Sequence, residues 1–553
     1  MLKLLQSWAQ RYWNSFAFAG LLSGTLFFAA SVTPSLVPRH DLAQGILSGV
    51  ALAVGYAVGI LAVALWQFLE LPMPSGKPDW ILRRLATLTA VVLFAWFSWQ
   101  MTFWQNSIRE LMGMEPLESV STYRICAIAL VLGAIQIGIA RAIVGMCHWG
   151  AARLNRVFPL RLSYAFSGLI VGFTVLFLVN DVLARYLTRS ADEFFAEFDS
   201  LIDEKTEQPQ TAEACGSAES VVEWVSVGRF GKNFLVGGPS VEELKKFWKR
   251  PVERPVRIYV GYRTAPTHNA RADLALQELI RTGAFRRSVL VVATPTGTGW
   301  LDPSAVDSLE YVHGGDTAIV ATQYSYLPSW MTRLVDAERP IESARALFDK
   351  VYSHWKTLPK DRRPRLYLHG LSLGALGSEV SADLFTILED PIHGAVWSGP
   401  PFPSSYWEKL TRERNANSPA WLPEFRDGAM VRFTAQDNAI DRDKPWGPYR
   451  CVYIQYASDP MVFFSPDLMF QRPEWLTGNR GPDVSPHLRW LPIVTCMQIA
   501  FDLPMATDVP LGYGHNYSPS SYIDAWEAVT EPIDCSLEDV QRLKEHFASR
   551  PNP

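Results

Sequence analysis

The sequence contains no Cys-x-x-Cys pair and no His-Glu-x-x-His, and its six cysteines are scattered. Zinc and iron–sulfur centres need clustered thiolate and imidazole ligands, so this absence predicts no metal site, and no cofactor is expected either. An excess of charge of one sign is also missing. The 51 Lys and Arg against 55 Asp and Glu leave a net charge of −4, which gives no general attraction to nucleic acid. What is abundant is apolar surface: 48% of residues are hydrophobic, with 20 Trp, and they are unevenly spread. The first 190 residues are dominated by apolar blocks, whereas the rest has the mixed composition of a soluble globular domain. At 553 residues the chain is too long for one ordinary domain, so two are expected.

About 20 predominantly apolar residues suffice to cross a bilayer. Five blocks approach or meet that length: Phe16–Val32, Ala43–Phe68, Leu85–Phe103, Ile125–Ile139 with its flanks, and Leu162–Leu183. A single block of this kind is often a buried core helix, but five in succession separated by charged loops predict a transmembrane region over residues 1–190. Lys3 and Arg11 precede the first block, Lys77, Arg83 and Arg84 follow the second, and Arg153, Arg156 and Arg161 follow the fourth. The alternate loops hold little beyond Arg39 and Arg109. Lys and Arg collect on the cytoplasmic side, so an internal N-terminus followed by five crossings places residue 190 onward outside. The first block also has the parts of a cleaved signal, ending in Ala29-Ala30-Ser31. Cleavage would leave four crossings from an external N-terminus and the same final side. Gly45 with Gly49, and Gly55 with Gly59, put small residues on one helix face, which suits a neighbouring helix or, less commonly, a second copy. The oligomeric state is left open. An oxidising exterior would allow one or two disulfides among Cys215, Cys451, Cys496 and Cys535, with no pairing specified.

Residues 191–250 read as a linker and entry region, acidic and polar over Asp192–Cys215, and residues 251–553 as the soluble domain. There strands and helices alternate, which predicts a mostly parallel sheet covered by helices. Strands are expected at Val256–Tyr262, Ser288–Thr294, Thr317–Thr322, Leu366–Leu368, Ala395–Ser398 and Arg450–Tyr456. Helices are expected at Arg271–Thr282, Ile341–Leu358, Ala375–Leu388 and Tyr522–Val529, the last one terminal. Residues 400–449 and 462–511 hold Pro, Trp and charge in irregular order and read as cap-like insertions.

Gly370-Leu371-Ser372-Leu373-Gly374 matches the Gly-x-Ser-x-Gly elbow, in which a strand turns sharply into a helix and exposes the serine above the sheet. The bare pattern is weak, since a strand–turn–helix junction with a capping serine produces it too. Downstream context strengthens it, because an acid and then a histidine follow in the chain order Ser, Asp, His. Asp459, after the strand at Arg450–Tyr456 and before Pro460, is the first choice of acid; Asp437 is the second. His515 lies on a Gly-flanked loop, Gly512–Tyr517, before the expected terminal helix, while His313, His393 and His487 lie off this order. In the chemistry these residues imply, His515 takes the proton of Ser372 as it attacks an acyl carbonyl, and Asp459 holds the imidazole. Leu373 would give one oxyanion N–H. The second would come from Tyr262 and Arg263 or from Thr296 and Gly297, both pairs lying on permissive loops after strands.

With spans and motifs together, the chain resembles the bacterial membrane-anchored α/β-hydrolase family. The stretches that carry the resemblance are Thr33–Arg39, Thr294–Trp300, Gln323–Ser329, the Ser372 elbow and Gly512–Tyr517. It departs at His369-Gly370-Leu371, where an acidic residue often precedes the serine. The resemblance implies a multi-span N-terminal region, an α/β-hydrolase catalytic domain and a serine hydrolase at the inner membrane acting on acyl esters or lipids. The bilayer is then a partner. Aromatic residues Phe402, Tyr406, Trp407, Trp421, Phe463, Phe464, Phe470 and Trp475 flank the motif loops and lean the same way. Two alternatives stand beside this: an acyltransferase using the same three residues, and a catalytically silent module of the same fold.

Overall fold

A computed structural model describes residues 17–72, 77–200, 206–383, 387–402 and 404–550. The chain forms two compact units. One contains residues 1–186, 466–476 and 482–505; the other contains 187–465, 477–481 and 506–553.

The first unit is helical. Four helices among the described residues are long and apolar enough to cross a membrane: Asp41–Phe68, Lys77–Arg109, Thr122–Leu154, and a continuous run from Leu160 to Ser200, whose residues from 187 onward count with the second unit. The last holds a π-helical stretch at Leu178–Ala184. Four of the five expected blocks fall on these helices. The first block is a shorter helix, Phe18–Ser31, and Phe16, Lys3 and Arg11 fall outside the described residues. Polar residues that read as loop or linker extend the other helices instead, so that Arg83 and Arg84 are helical and Asp192 lies on a helix. The glycine faces are occupied within the chain. A Cβ at Gly45 would meet Ile128 at 2.8 Å, and one at Gly59 would meet the Ala19 carbonyl at 2.4 Å. Phe28, Val32, Met101, Trp104, Ile125 and Ala129 form an apolar cluster between these helices.

The second unit is built on a seven-stranded sheet in the order β1-β3-β2-β4-β5-β7-β6, parallel throughout. Its strands are β1 Val256–Val260, β2 Val289–Thr294, β3 Thr317–Thr322, β4 Arg365–Leu371, β5 Gly394–Ser398, β6 Val431–Thr434 and β7 Arg450–Ile454. β2 and β3 are buried along their whole length. That is why they read as unbroken apolar runs rather than alternating ones. β6 corrects the irregular reading of 400–449: it pairs in parallel outside β7 as an edge strand. The helix after Ser372 is shorter than expected, Leu373–Glu379, and residues 384–386 of the expected span lie outside those described. The terminal helix is not Pro519–Thr530 but a further one, Leu537–Ala548, opened by a Ser536–Asp539 capping box. All six cysteines are free.

Candidate active site

In a parallel sheet, loops collect at the carboxyl ends of the strands, and a crevice opens where the chain's direction of travel across the sheet reverses. Here β2 connects to β3 on one side, while β4 connects to β5 on the other. The reversal therefore lies between β2 and β4. Residues 295–300 follow β2, and the Ser372 turn follows β4.

Ser372 has φ 59° and ψ −128°. A side-chain-bearing residue in this region carries about 1–3 kcal/mol of strain and persists only where its surroundings hold it. Two features hold it. Its N–H donates to the Ser398 carbonyl at 3.0 Å, tying the turn to the end of β5. Gly374 allows the helix to start directly against β2, since a Cβ there would lie 2.1 Å from the Thr294 carbonyl oxygen.

Asp459 caps the short helix Pro460–Phe463, and its Oδ1 accepts the Met461 N–H at 2.8 Å. Its Oδ2 meets His515 Nδ1 at 2.7 Å and accepts the Tyr517 hydroxyl, also at 2.7 Å. An ionised carboxylate can only accept, so the proton of the neutral imidazole sits on Nδ1 and Nε2 is left as a free base. The loop is itself restrained: the His515 N–H donates to the Ala506 carbonyl at 2.7 Å, and the Gly514 N–H donates to Ser458 Oγ at 2.9 Å. Gly399, with φ 52°, follows Ser398, and a Cβ on it would stand 2.4 Å from His515 Cε1. Ser372 thus borders Ser398, and His515 borders the next residue, Gly399. Ser372 Oγ and His515 Nε2 are both buried without a hydrogen-bond partner, so the two are not bonded to each other here.

The structure therefore brings Asp459 to His515, and the second-choice acid, Asp437, is exposed on the loop after β6. Leu373 opens the helix after Ser372, where the first N–H groups have no intrahelical acceptor. Tyr262 and Arg263 follow β1, which β3 and β2 separate from β4 by three strand spacings, about 14 Å. The Tyr262 N–H already donates to Gln323 Oε1 at 3.0 Å. Thr296 and Gly297 lie beside the serine turn, but the Thr296 N–H donates to the Trp300 carbonyl and the Gly297 N–H to Ser329 Oγ. His369 is a core residue whose Nδ1 lies 2.8 Å from the Val396 carbonyl, and burial lowers its pKa to about 4. Trp407, Phe463 and Trp475 are buried as core, and Tyr406 and Phe470 are exposed.

Tyr517 was not singled out from sequence. Burial, with Asp459 beside it, pushes its phenol well above the ordinary value and keeps it a donor. Its place two residues after His515, on the same loop, was the available signal.

Among solved structures, a Trichoderma reesei cutinase in complex with a phosphonate inhibitor is similar at 14% identity, covering 43% of this chain and 88% of that one, with a TM-score of 0.19. No curated protein matches the chain. The sequence profile of the alpha/beta-hydrolase family matches residues 256–543, and that of the family's N-terminal region matches residues 32–239. The chain belongs to the alpha/beta-hydrolase family.

Proposed function

We propose that this protein is a membrane-anchored serine hydrolase that cleaves carboxylic esters of lipids or other amphiphiles. The observation that carries the reading is the orphaned pair: Ser372 Oγ and His515 Nε2, buried without partners, with the other imidazole nitrogen bonded to Asp459. Buried polar atoms are nearly always satisfied. A nucleophile and a base left open at one crevice are what an acyl substrate would complete, and catalytic hydrogen bonds often close only in the substrate complex. Ser372 Oγ attacks the acyl carbonyl while His515 Nε2 takes its proton, and the imidazolium is stabilised by Asp459. The Leu373 N–H serves as one donor to the developing oxyanion. The alcohol leaves with the proton from His515, and water repeats the sequence on the acyl-enzyme. An alcohol in place of water would make the same site an acyltransferase.

The long apolar helices and the N-terminal family match support a membrane anchor. Three crossings, 77–109, 122–154 and 160–200, follow the basic end at Lys77, Arg83 and Arg84. An odd number puts the catalytic part on the opposite, extracytoplasmic face whether or not Phe18–Ser31 also crosses. Alkaline phosphatase fused after residue 200 should therefore be active; a silent fusion would place Ser372 in the cytoplasm. The activity test is hydrolysis of p-nitrophenyl esters of increasing chain length by the full chain in detergent. Turnover that rises with acyl length and vanishes in Ser372→Ala is expected. Equal turnover in Ser372→Ala would overturn the assignment.

A further inference from the structure

Ser372 and His515 come from separate loops and share no hydrogen bond, so their separation is set by what holds each loop. The supports converge at the end of β5. The Ser398 carbonyl accepts the Ser372 N–H at 3.0 Å, and Gly399, the next residue, leaves no room for a Cβ beside the His515 ring. The Gly399 N–H donates to the Ile454 carbonyl at 3.0 Å, which fixes this backbone to β7. The Ser398 side chain makes a different link: its Oγ meets the Tyr522 hydroxyl at 2.7 Å, with both residues fully buried.

Tyr522 belongs to the base's side of the site. It lies on the helix Pro519–Thr530, which follows the His515 loop directly. The entry to that helix is tied to the strand that leads to Asp459, since the Ser518 N–H donates to the Tyr456 hydroxyl at 3.1 Å and Ser521 Oγ meets the same hydroxyl at 2.8 Å. Burial, with Asp302 beside it, pushes the Tyr522 phenol well above its ordinary value and keeps it protonated. One hydrogen bond adds little net stability, but a buried hydroxyl deprived of its partner is costly. The Ser398–Tyr522 pair therefore favours one placement of β5's end against this helix over its near neighbours.

We infer that Tyr522 is a positioning residue: through Ser398 it sets the separation of Ser372 and His515. It acts on the reaction without touching substrate. The inference rests on Ser372 and His515 being nucleophile and base.

The test uses the full chain in detergent, a soluble short-chain p-nitrophenyl ester and a fluorophosphonate probe. Tyr522→Phe keeps the ring in its packing and removes only the hydroxyl. In the folded variant kcat should fall about tenfold with KM unchanged, because a small displacement of reacting groups costs rate rather than binding, and labelling of Ser372 should slow by the same factor. Ser398→Ala removes the other half of the link and should do the same. The double variant should be no slower than the slower single one, since one link is cut twice. If Tyr522→Phe does not fold, Ser398→Ala alone carries the comparison of kcat, KM and labelling. Losses that multiply in the double variant, or a lowered melting temperature with wild-type kcat per folded molecule, overturn the inference. Failure of the underlying site would appear separately, as wild-type protein that takes no label at Ser372.

Discussion

Two buried polar clusters in this molecule are built on opposite terms. Around Arg39 and Asp502, each guanidinium nitrogen has an acceptor and each carboxylate oxygen a donor. Around Ser372, a strained backbone holds a hydroxyl with no partner, and the Nε2 of His515 has none either. Satisfied burial fixes geometry, whereas unsatisfied burial stores capacity to bind something absent, at a cost in stability. Substitutions in the two clusters should therefore divide differently between activity and stability.

The largest effect is at the open cluster. Ser372→Ala or His515→Ala should each lower ester turnover by about 10⁴-fold or more, because the residues act as a unit. In Ser372→Ala stability should not fall with it. Ser372→Gly, which accepts φ 59° without strain, should raise the unfolding free energy by about 1 kcal/mol in a chemical melt. Loss of stability in both variants would mean that Ser372 is a structural residue.

At the closed cluster the order reverses. Arg39→Met leaves Asp502 buried and unpaired, and should cost about 3–5 kcal/mol in thermal unfolding of the detergent-solubilised chain. A melting temperature equal to wild type would show that water reaches Asp502.

Acid should weaken the catalytic unit through a third buried group. His369 is 3% exposed and titrates near 4 when folded, because burial disfavours its charged form, whereas an unfolded histidine titrates near 6.5. Above pH 6.5 neither state is protonated and the difference is nil. As pH falls from 6.5 to 4 only the unfolded chain takes the proton, removing about 3 kcal/mol. Denaturant midpoints at pH 7.5 and 4.5 should converge in His369→Gln relative to wild type. The smallest effect belongs to Tyr517→Phe, which deletes one of three donors to Asp459. It should reduce kcat less than tenfold, in line with a net hydrogen-bond contribution of about 1 kcal/mol.

Much of this arrangement was legible in the sequence where local chemistry decides it. β2, β3 and β5 read as strands because burial on both faces demands continuous apolar runs, and Ser372 read as an elbow because a glycine is needed on each side of the turn. β6 escaped because four residues, Val431–Thr434, in a stretch rich in Pro and charge carry too little periodicity, and only pairing with β7 makes them a strand. The second oxyanion loop could not be chosen from sequence, because both candidates follow strands and strand order, which puts β1 three positions from β4, is not a local property. The partner of Arg39 could not be read at all, since Asp502 lies 463 residues away and no local pattern joins them.

The central claim is that Ser372 is a nucleophile activated by His515. The most direct measurement is mass spectrometry of the full chain after reaction with a fluorophosphonate. A single phosphonyl adduct on the peptide carrying Ser372, absent in Ser372→Ala and strongly slowed in His515→Ala, is the predicted result; an adduct elsewhere, or none on folded wild-type protein, would contradict it.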